Sequence, residues 1–226
     1  MKKIIIIIAA LFVALSITAC QSLDVVGTGA ITSFTEVAKN LSEPISSDPV
    51  NNGWSLAAPG GERFVWSKDF SAKGMSDLMM EFDIQPFLAA GLQPEKLDKN
   101  IYLYDKLANK LMVHAELGDT QFKSASSTDP LATFKEIVTA YRTSVNYHEK
   151  LDHYNIAFGG GNMFEWAKNL TTNDKDIVFV LNPATLISAG VDPLKVEGWV
   201  FAKVEIKNAQ GDKELVDKLL KPYNLQ

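Results

Sequence analysis

The chain has 226 residues, 46% of them hydrophobic and 22% charged, with a mean hydropathy near zero, a balance that excludes both a disordered tail and a polytopic membrane protein. Twenty-two basic residues against 27 acidic ones give a net charge of −5, the wrong sign for a protein whose main work is gripping nucleic acid. A single cysteine rules out an intrachain disulfide and a cysteine-based zinc site.

The N terminus reads as an address. Met1-Lys2-Lys3 is a short cationic start, and Ile4 to Leu15 follows as an unbroken run of twelve apolar residues before Ser16-Ile17-Thr18-Ala19-Cys20. Twelve residues of helix reach about 18 Å against a hydrocarbon core of about 30 Å, too short for a permanent span and suited to the apolar region of a secretory signal. Ile17-Thr18-Ala19-Cys20 resembles the lipobox of bacterial lipoproteins, and the resemblance covers this leader only. It implies a diacylglycerol on the Cys20 thiol, cleavage just before Cys20, and acylation of the new amino terminus. Several acyl chains, at about 0.8 kcal/mol per buried CH₂, hold a protein on a membrane far more firmly than one. The protein is then lipid-anchored and extracytoplasmic, on the bacterial cell membrane or the outer membrane. In the Gram-negative version of the family, Gln rather than Asp at position 21 favours the outer membrane.

Cleavage would remove Lys2 and Lys3 and no acid, leaving 20 basic against 27 acidic residues, a mature net charge of −7. Anionic headgroups repel such a body, so the tether alone holds it at the bilayer. Residues 1–19 are therefore assigned to a signal peptide and 20–28 to the lipidated cysteine and a short tether.

Beyond the tether the chain repeats itself. At an offset of 100, Phe34 meets Phe134, Gly60-Gly61 meets Gly160-Gly161, and Phe64, Trp66 and Lys68 meet Phe164, Trp166 and Lys168. With one residue deleted, Asp77 meets Asp176, Ala90-Gly91 meets Ala189-Gly190, and Pro94 meets Pro193. Rare residues matching in unbroken order predict a duplication, with unit 1 at 29–125 and unit 2 at 126–226.

Each unit opens with an amphipathic helix, carried by Ile31, Phe34, Val37, Ala38 and Leu41 in the first and by Leu131, Phe134, Ile137, Val138 and Tyr141 in the second. Asp129-Pro130 supplies a cap and an N1 proline for the second helix. Glycine clusters at Pro59-Gly60-Gly61 and Gly159-Gly160-Gly161, between aromatic and β-branched runs, predict hairpins. Asp77–Ile84 and Asp176–Leu181 are apolar enough on both faces to be central strands. Segments that start with Pro86 and Pro183 and stop at Gly91 and Gly190 predict short helices. Strands follow at Ile101–Tyr104 and Gly198–Ile206, then a last element at Lys110–Leu117 and Glu214–Leu220. The expected class is α+β: two tandem repeats of about 100 residues, each a helix plus a mostly antiparallel sheet with a short crossover helix, packed pseudo-symmetrically.

Catalytic and cofactor signatures fail on context. Gly27-Thr28-Gly29-Ala30 imitates a dinucleotide-binding turn, but Thr32 occupies the third glycine position and no βαβ unit follows. The glycine triplet at 159–161 lacks the Lys-Ser/Thr of a phosphate loop. His148 and His153 stand five apart, which on a helix turns the second imidazole about 140° from the first, so they do not share a metal there and a solvated helix end is expected. His114 falls in a strand-like segment and is expected to be exposed. No nucleophile motif occurs. The sequence therefore assigns no metal, cofactor or catalytic residue, and whether the chain is an enzyme stays open.

Aromatic residues are the better lead. Period 2 puts Phe64, Trp66 and Lys68 on one strand face, and Phe164, Trp166 and Lys168 on its counterpart; a shared core is expected, with a doubled ligand platform as the other reading. On the later strands, Ile101 and Leu103 share one face, as do Val200, Ala202, Val204 and Ile206, and that face is expected to be buried. Tyr102, Tyr104, Trp199 and Phe201 point the other way. Left uncovered, they form an amphipathic surface suited to sugar stacking or partner contact; covered, they are ordinary packing. The expected function is a non-catalytic, lipid-anchored envelope protein binding a small molecule, a glycan or another envelope protein through these four residues. The alternative is a hydrolase using carboxylates in a groove between the two units.

Overall fold

The computed structural model describes residues 10–12, 23–68, 77–115, 129–141, 144–149, 151–172, 175–207 and 212–225. Cys20 and the rest of the lipobox lie outside them. Unit 1 comprises α1 (Leu23–Asn40), β2 (Ser46–Asp48), β3 (Gly53–Ala57), β4 (Arg63–Ser67), β5 (Leu78–Asp83), α2 (Gln85–Ala89), β6 (Tyr102–Asp105) and β7 (Lys110–Ala115); a short strand, β1 (Ala10–Phe12), precedes it. Unit 2 repeats the order as α3 (Pro130–Ala140), β8 (Val145–His148), β9 (His153–Gly159), β10 (Asn162–Ala167), β11 (Ile177–Leu181), α4 (Pro183–Ser188), β12 (Val200–Lys207) and β13 (Lys213–Tyr223).

Each unit forms an antiparallel sheet of its own six strands, ordered β2-β3-β4-β5-β7-β6 and β8-β9-β10-β11-β13-β12. The duplication is thus a structural fact, and both units are α+β. β1 adds a parallel seventh strand at the edge of the second sheet, against Glu205–Lys207. β5 and β11 are buried along nearly their whole length, as central strands should be. Asp129 caps α3 by accepting a hydrogen bond from the Leu131 amide.

α1 begins at Leu23, six residues before the boundary expected from sequence, which shortens the span between Cys20 and the helix to two residues. Gly27 and Gly29 are consequently helical. A Cβ at Gly29 would collide with the Tyr154 hydroxyl, so this glycine permits close approach of α1 to β9 and has no part in a nucleotide turn.

The units do not sit side by side as two closed domains. α1, which opens unit 1, lies against β8 and β10 of unit 2. The Trp166 indole N–H reaches Ser33 Oγ at 2.9 Å and Ala30 O at 3.2 Å on α1. Reciprocally, the Trp66 indole donates to Thr133 Oγ1 and Pro130 O on α3, both at 3.1 Å. Each helix therefore serves the other unit's sheet. On the pseudo-twofold axis Phe34 stacks on Phe134, ring centroids 3.8 Å apart, and Phe64 on Phe164 at 4.4 Å with planes 4° apart. All four rings and both tryptophans are fully buried, which makes Trp66 and Trp166 core. One continuous apolar cluster spans the two units.

The axis continues through the ends of α2 and α4. Gly91 and Gly190 end these helices at φ of +105° and +98°, and a Cβ on either would stand 2.6 to 2.7 Å from the other's carbonyl oxygen. Glycine is required twice over, for conformation and for contact. Beside them the Gln93 amide donates to Ala189 O and the Asp192 amide to Ala90 O, each at 2.8 Å.

Candidate functional site

Of the four expected binding aromatics Tyr102 is buried and Tyr104, Trp199 and Phe201 are half-buried, and Tyr102 and Trp199 are covered from across the axis. Tyr102 is 1% exposed. Its hydroxyl donates to Asn162 Oδ1 at 3.2 Å and accepts from Thr185 Oγ1 on α4 at 3.4 Å. Burial pushes the phenol up to about 12, against the opposing hydrogen bonds of Thr185 and Asn162. Trp199 makes the reciprocal contact: its ring meets Phe82 and Phe87 of unit 1 edge to face, with centroids 5.1 and 5.4 Å away. Phe201 is half-buried against the same core.

The expected burial of β6 is reversed. Leu103 is 40% exposed while Tyr102 is buried, because the cover on this strand is the neighbouring unit, on the aromatic side. In β12 both faces are used: Ala202 and Val204 are buried on the outer side, in a small cluster with Met163, Val178 and Val180, and Trp199 and Phe201 pack on the inner one. The structure thus does not present the four aromatics as one open face. Tyr102 joins unit to unit, and Trp199 and Phe201 pack against the shared core.

What remains open on β6 is a surface groove of about 500 Å³ lined by Pro94, Glu95, Leu97, Lys99, Leu103, Lys106 and the two tyrosines Tyr102 and Tyr104. Tyr104 is half-buried there, and Leu103, Lys99 and Lys106 are exposed. A tyrosine wall with a free leucine and two cations beside it offers stacking, apolar contact and charge in one place.

A second groove of about 490 Å³ lies in unit 2, between the hairpin tip at Gly161, the start of α4 and residues Glu214–Lys218 of β13. Lys218 is 6% exposed in its wall and donates to Gly161 O at 2.7 Å. Burial pushes its ammonium below the ordinary lysine range, partly opposed by the charge of Glu165. Sequence reasoning missed this residue. The available signal was the repeat: Lys110 and Lys218 occupy equivalent rungs, but Lys110 pairs across the ladder with Asp83, whose counterpart in unit 2 is Asn182.

His148 and His153 do not end a helix. They face each other as register partners in the β8–β9 hairpin, 2% and 5% exposed, with His153 Nδ1 3.7 Å from Glu165 Oε2. The turn between them has Asp152 at φ +52°, matching Asn52 at φ +44° in unit 1. The Asn52-Gly53 turn, carried over by the offset of 100, was the signal for this hairpin. His114 is half-buried in β7, its Nε2 3.3 Å from Lys99 O. Among the described residues no group of three or more His, Cys, Asp or Glu is placed to hold a metal ion.

Stacked phenylalanines pack between the units, and carboxylates border that contact. Asp77 accepts from the Tyr141 hydroxyl at 3.2 Å. Glu62 accepts from the Tyr223 hydroxyl, with Lys221 3.4 Å away. No helix among the described residues is long and apolar enough to cross a membrane. No family model matches the chain, and comparison with curated proteins and with solved structures found no match.

Proposed function

We propose that this chain is a lipid-anchored extracytoplasmic protein of the bacterial envelope that binds a partner and makes no bond, with the β6 groove as its contact surface. The observation carrying this reading is the groove itself, lined by half-buried Tyr104 together with exposed Leu103, Lys99 and Lys106. A ring held at the edge of a rigid sheet stacks on a sugar face or an apolar side chain without losing conformational freedom on binding. Anchoring through Cys20 is supported by the lipobox, and the start of α1 at Leu23 would hold the body close to the bilayer.

Two measurements test the two halves of the proposal. An alkyne-bearing fatty acid fed to expressing cells labels the wild-type protein and not Cys20→Ser; equal labelling overturns the anchor. Titration of the purified body with cell-wall glycan fragments gives an affinity that Tyr104→Ala lowers by about tenfold, the loss of one stacking contact, at unchanged melting temperature. An unchanged affinity removes the groove from the function.

A further inference from the structure

β13 outgrows its counterpart, and the excess lies along the unit 2 groove. In unit 1, β7 begins at Lys110, which is already paired on both sides, with Asp83 of β5 and Asp105 of β6. In unit 2, β13 begins five residues before the equivalent lysine. β12 pairs with it from Lys213 to Leu220, but β11 meets it only from Leu219 onward. Lys213 to Lys218 therefore have a backbone side on which no strand pairs among the described residues. Glu214 to Lys218 of that segment line the groove continuously. A free strand edge in a groove is a template for another strand.

Lys218 closes the groove at the end where β11 stops. Gly161 O takes one of its three N–H groups, and among the described residues no carboxylate lies within ion-pair distance of it. Burial makes this ammonium costly and the charge of Glu165 offsets only part of that cost; where unit 1 sets Asp83 opposite Lys110, unit 2 has the uncharged Asn182 at the equivalent position. Exposed Leu215 and Ile187, 61% and 47% accessible, flank the groove with Met163, Val216 and Pro183 and offer apolar contacts to alternate side chains. The rim also carries Glu214 and Asp217, which disfavours a polyanion.

We propose that this groove captures the C-terminal segment of a peptide or protein, which adds as a strand along Glu214–Lys218, parallel to β13, and places its terminal carboxylate on Lys218 Nζ. The main chain supplies affinity, and the buried ammonium reads the free carboxyl end.

The test immobilises the mature chain and exposes it to a pool of random hexapeptides with free carboxyl ends and to the same pool amidated, with enrichment read by mass spectrometry. The free-acid pool is retained at least about tenfold over the amidated one, the loss of a charge-assisted contact, and Lys218→Met, at unchanged melting temperature, abolishes the difference. Hydrogen exchange with a retained peptide slows the amides within 214–218. Equal retention of both pools by the wild type, or retention of neither, overturns the proposal whether or not the variant folds. Acid preference without slowed exchange along β13 also overturns it, leaving a plain anion pocket that decanoate would fill as well.

Discussion

Arg63 and Met163 occupy the same rung of the two copies, and their surroundings have diverged in step. In unit 1 the guanidinium of Arg63 bridges Asp48 Oδ2 and Glu81 Oε2, each at 2.8 Å, and Asn51 Nδ2 joins the same two carboxylates at 2.9 and 3.2 Å. In unit 2 the corresponding positions are His148, Met163 and Val180, and the two apolar ones join the small outer cluster. A charged network and an apolar patch thus solve the same problem on the outer face of the same sheet. On the inner face the copies have hardly moved: Phe34 and Phe134, Phe64 and Phe164, Trp66 and Trp166 touch each other or each other's helices. Residues that meet their own duplicate across an axis must fit both partners at once, whereas the outer faces are free to change one at a time.

The strongest way to break the comparison is to separate the copies. Each unit's tryptophan donates its hydrogen bonds to the other's helix, so a chain cut in the segment 116–128 should give two fragments that are each unfolded alone and fold on mixing. Circular dichroism and size exclusion of the separate and mixed fragments check this. A folded, monomeric 20–120 fragment would show that exchanged helices are dispensable.

The duplication was legible in sequence because the residues fixed by the axis are the bulky, rare ones. The helix exchange was not, since nothing local to Phe34 or Trp66 says which copy covers which sheet. Strand β6 misled for a related reason: its two faces alternate Tyr and Leu or Ile, and only the packing of unit 2 onto the tyrosine side decides burial. The β8–β9 hairpin was hidden because Glu149 to Asp152 carry no glycine, although unit 1 spells the same turn with Asn52-Gly53. Lys218 was hidden by a substitution, Asp83 to Asn182, that looks conservative in shape and changes the charge opposite a lysine.

A second, smaller effect tests the outer face. Arg63→Met copies unit 2 but strands Asp48 and Glu81, both buried, and should cost about 3 kcal/mol in urea unfolding at neutral pH. Adding Asp48→Asn and Glu81→Val should recover most of that loss. The cost should also depend on pH. Burial pushes the Asp48 carboxyl up, but hydrogen bonds from Asn51 and the charge of Arg63 outweigh it and hold the carboxyl below the ordinary carboxylate range. A carboxyl lowered by folding stabilises above its unfolded value of about 3.9 and stops doing so as the pH falls through its folded value. In Arg63→Met the guanidinium is gone and burial raises the carboxyl, so protonation relieves the variant. The gap between wild type and variant should therefore narrow as the pH is lowered from 7 toward 3. A constant gap would mean that the loss is one of packing around the arginine stem.

The smallest effect is the most direct test of symmetry. Trp66→Phe and Trp166→Phe each keep an aromatic ring in the core and delete one indole N–H, which leaves Thr133 Oγ1 or Ser33 Oγ with one donor fewer. Losing a buried hydrogen bond of this kind costs about 1 to 2 kcal/mol. The two sites are chemically matched, each indole donating to a hydroxyl and to a carbonyl three residues before it on the opposite helix, in the middle of α1 and in the first turn of α3. The two single variants should therefore lose the same stability within the error of chemical denaturation. Each tryptophan packs against both axis phenylalanines, with Phe34 and Phe134 centroids 5.6 to 5.9 Å from the indoles, so the double variant should depart from the sum of the singles. Unequal single losses would place more of the stability on one exchanged helix than on the other, and strict additivity would mean that the two hydrogen bonds, though related by the axis, are set independently.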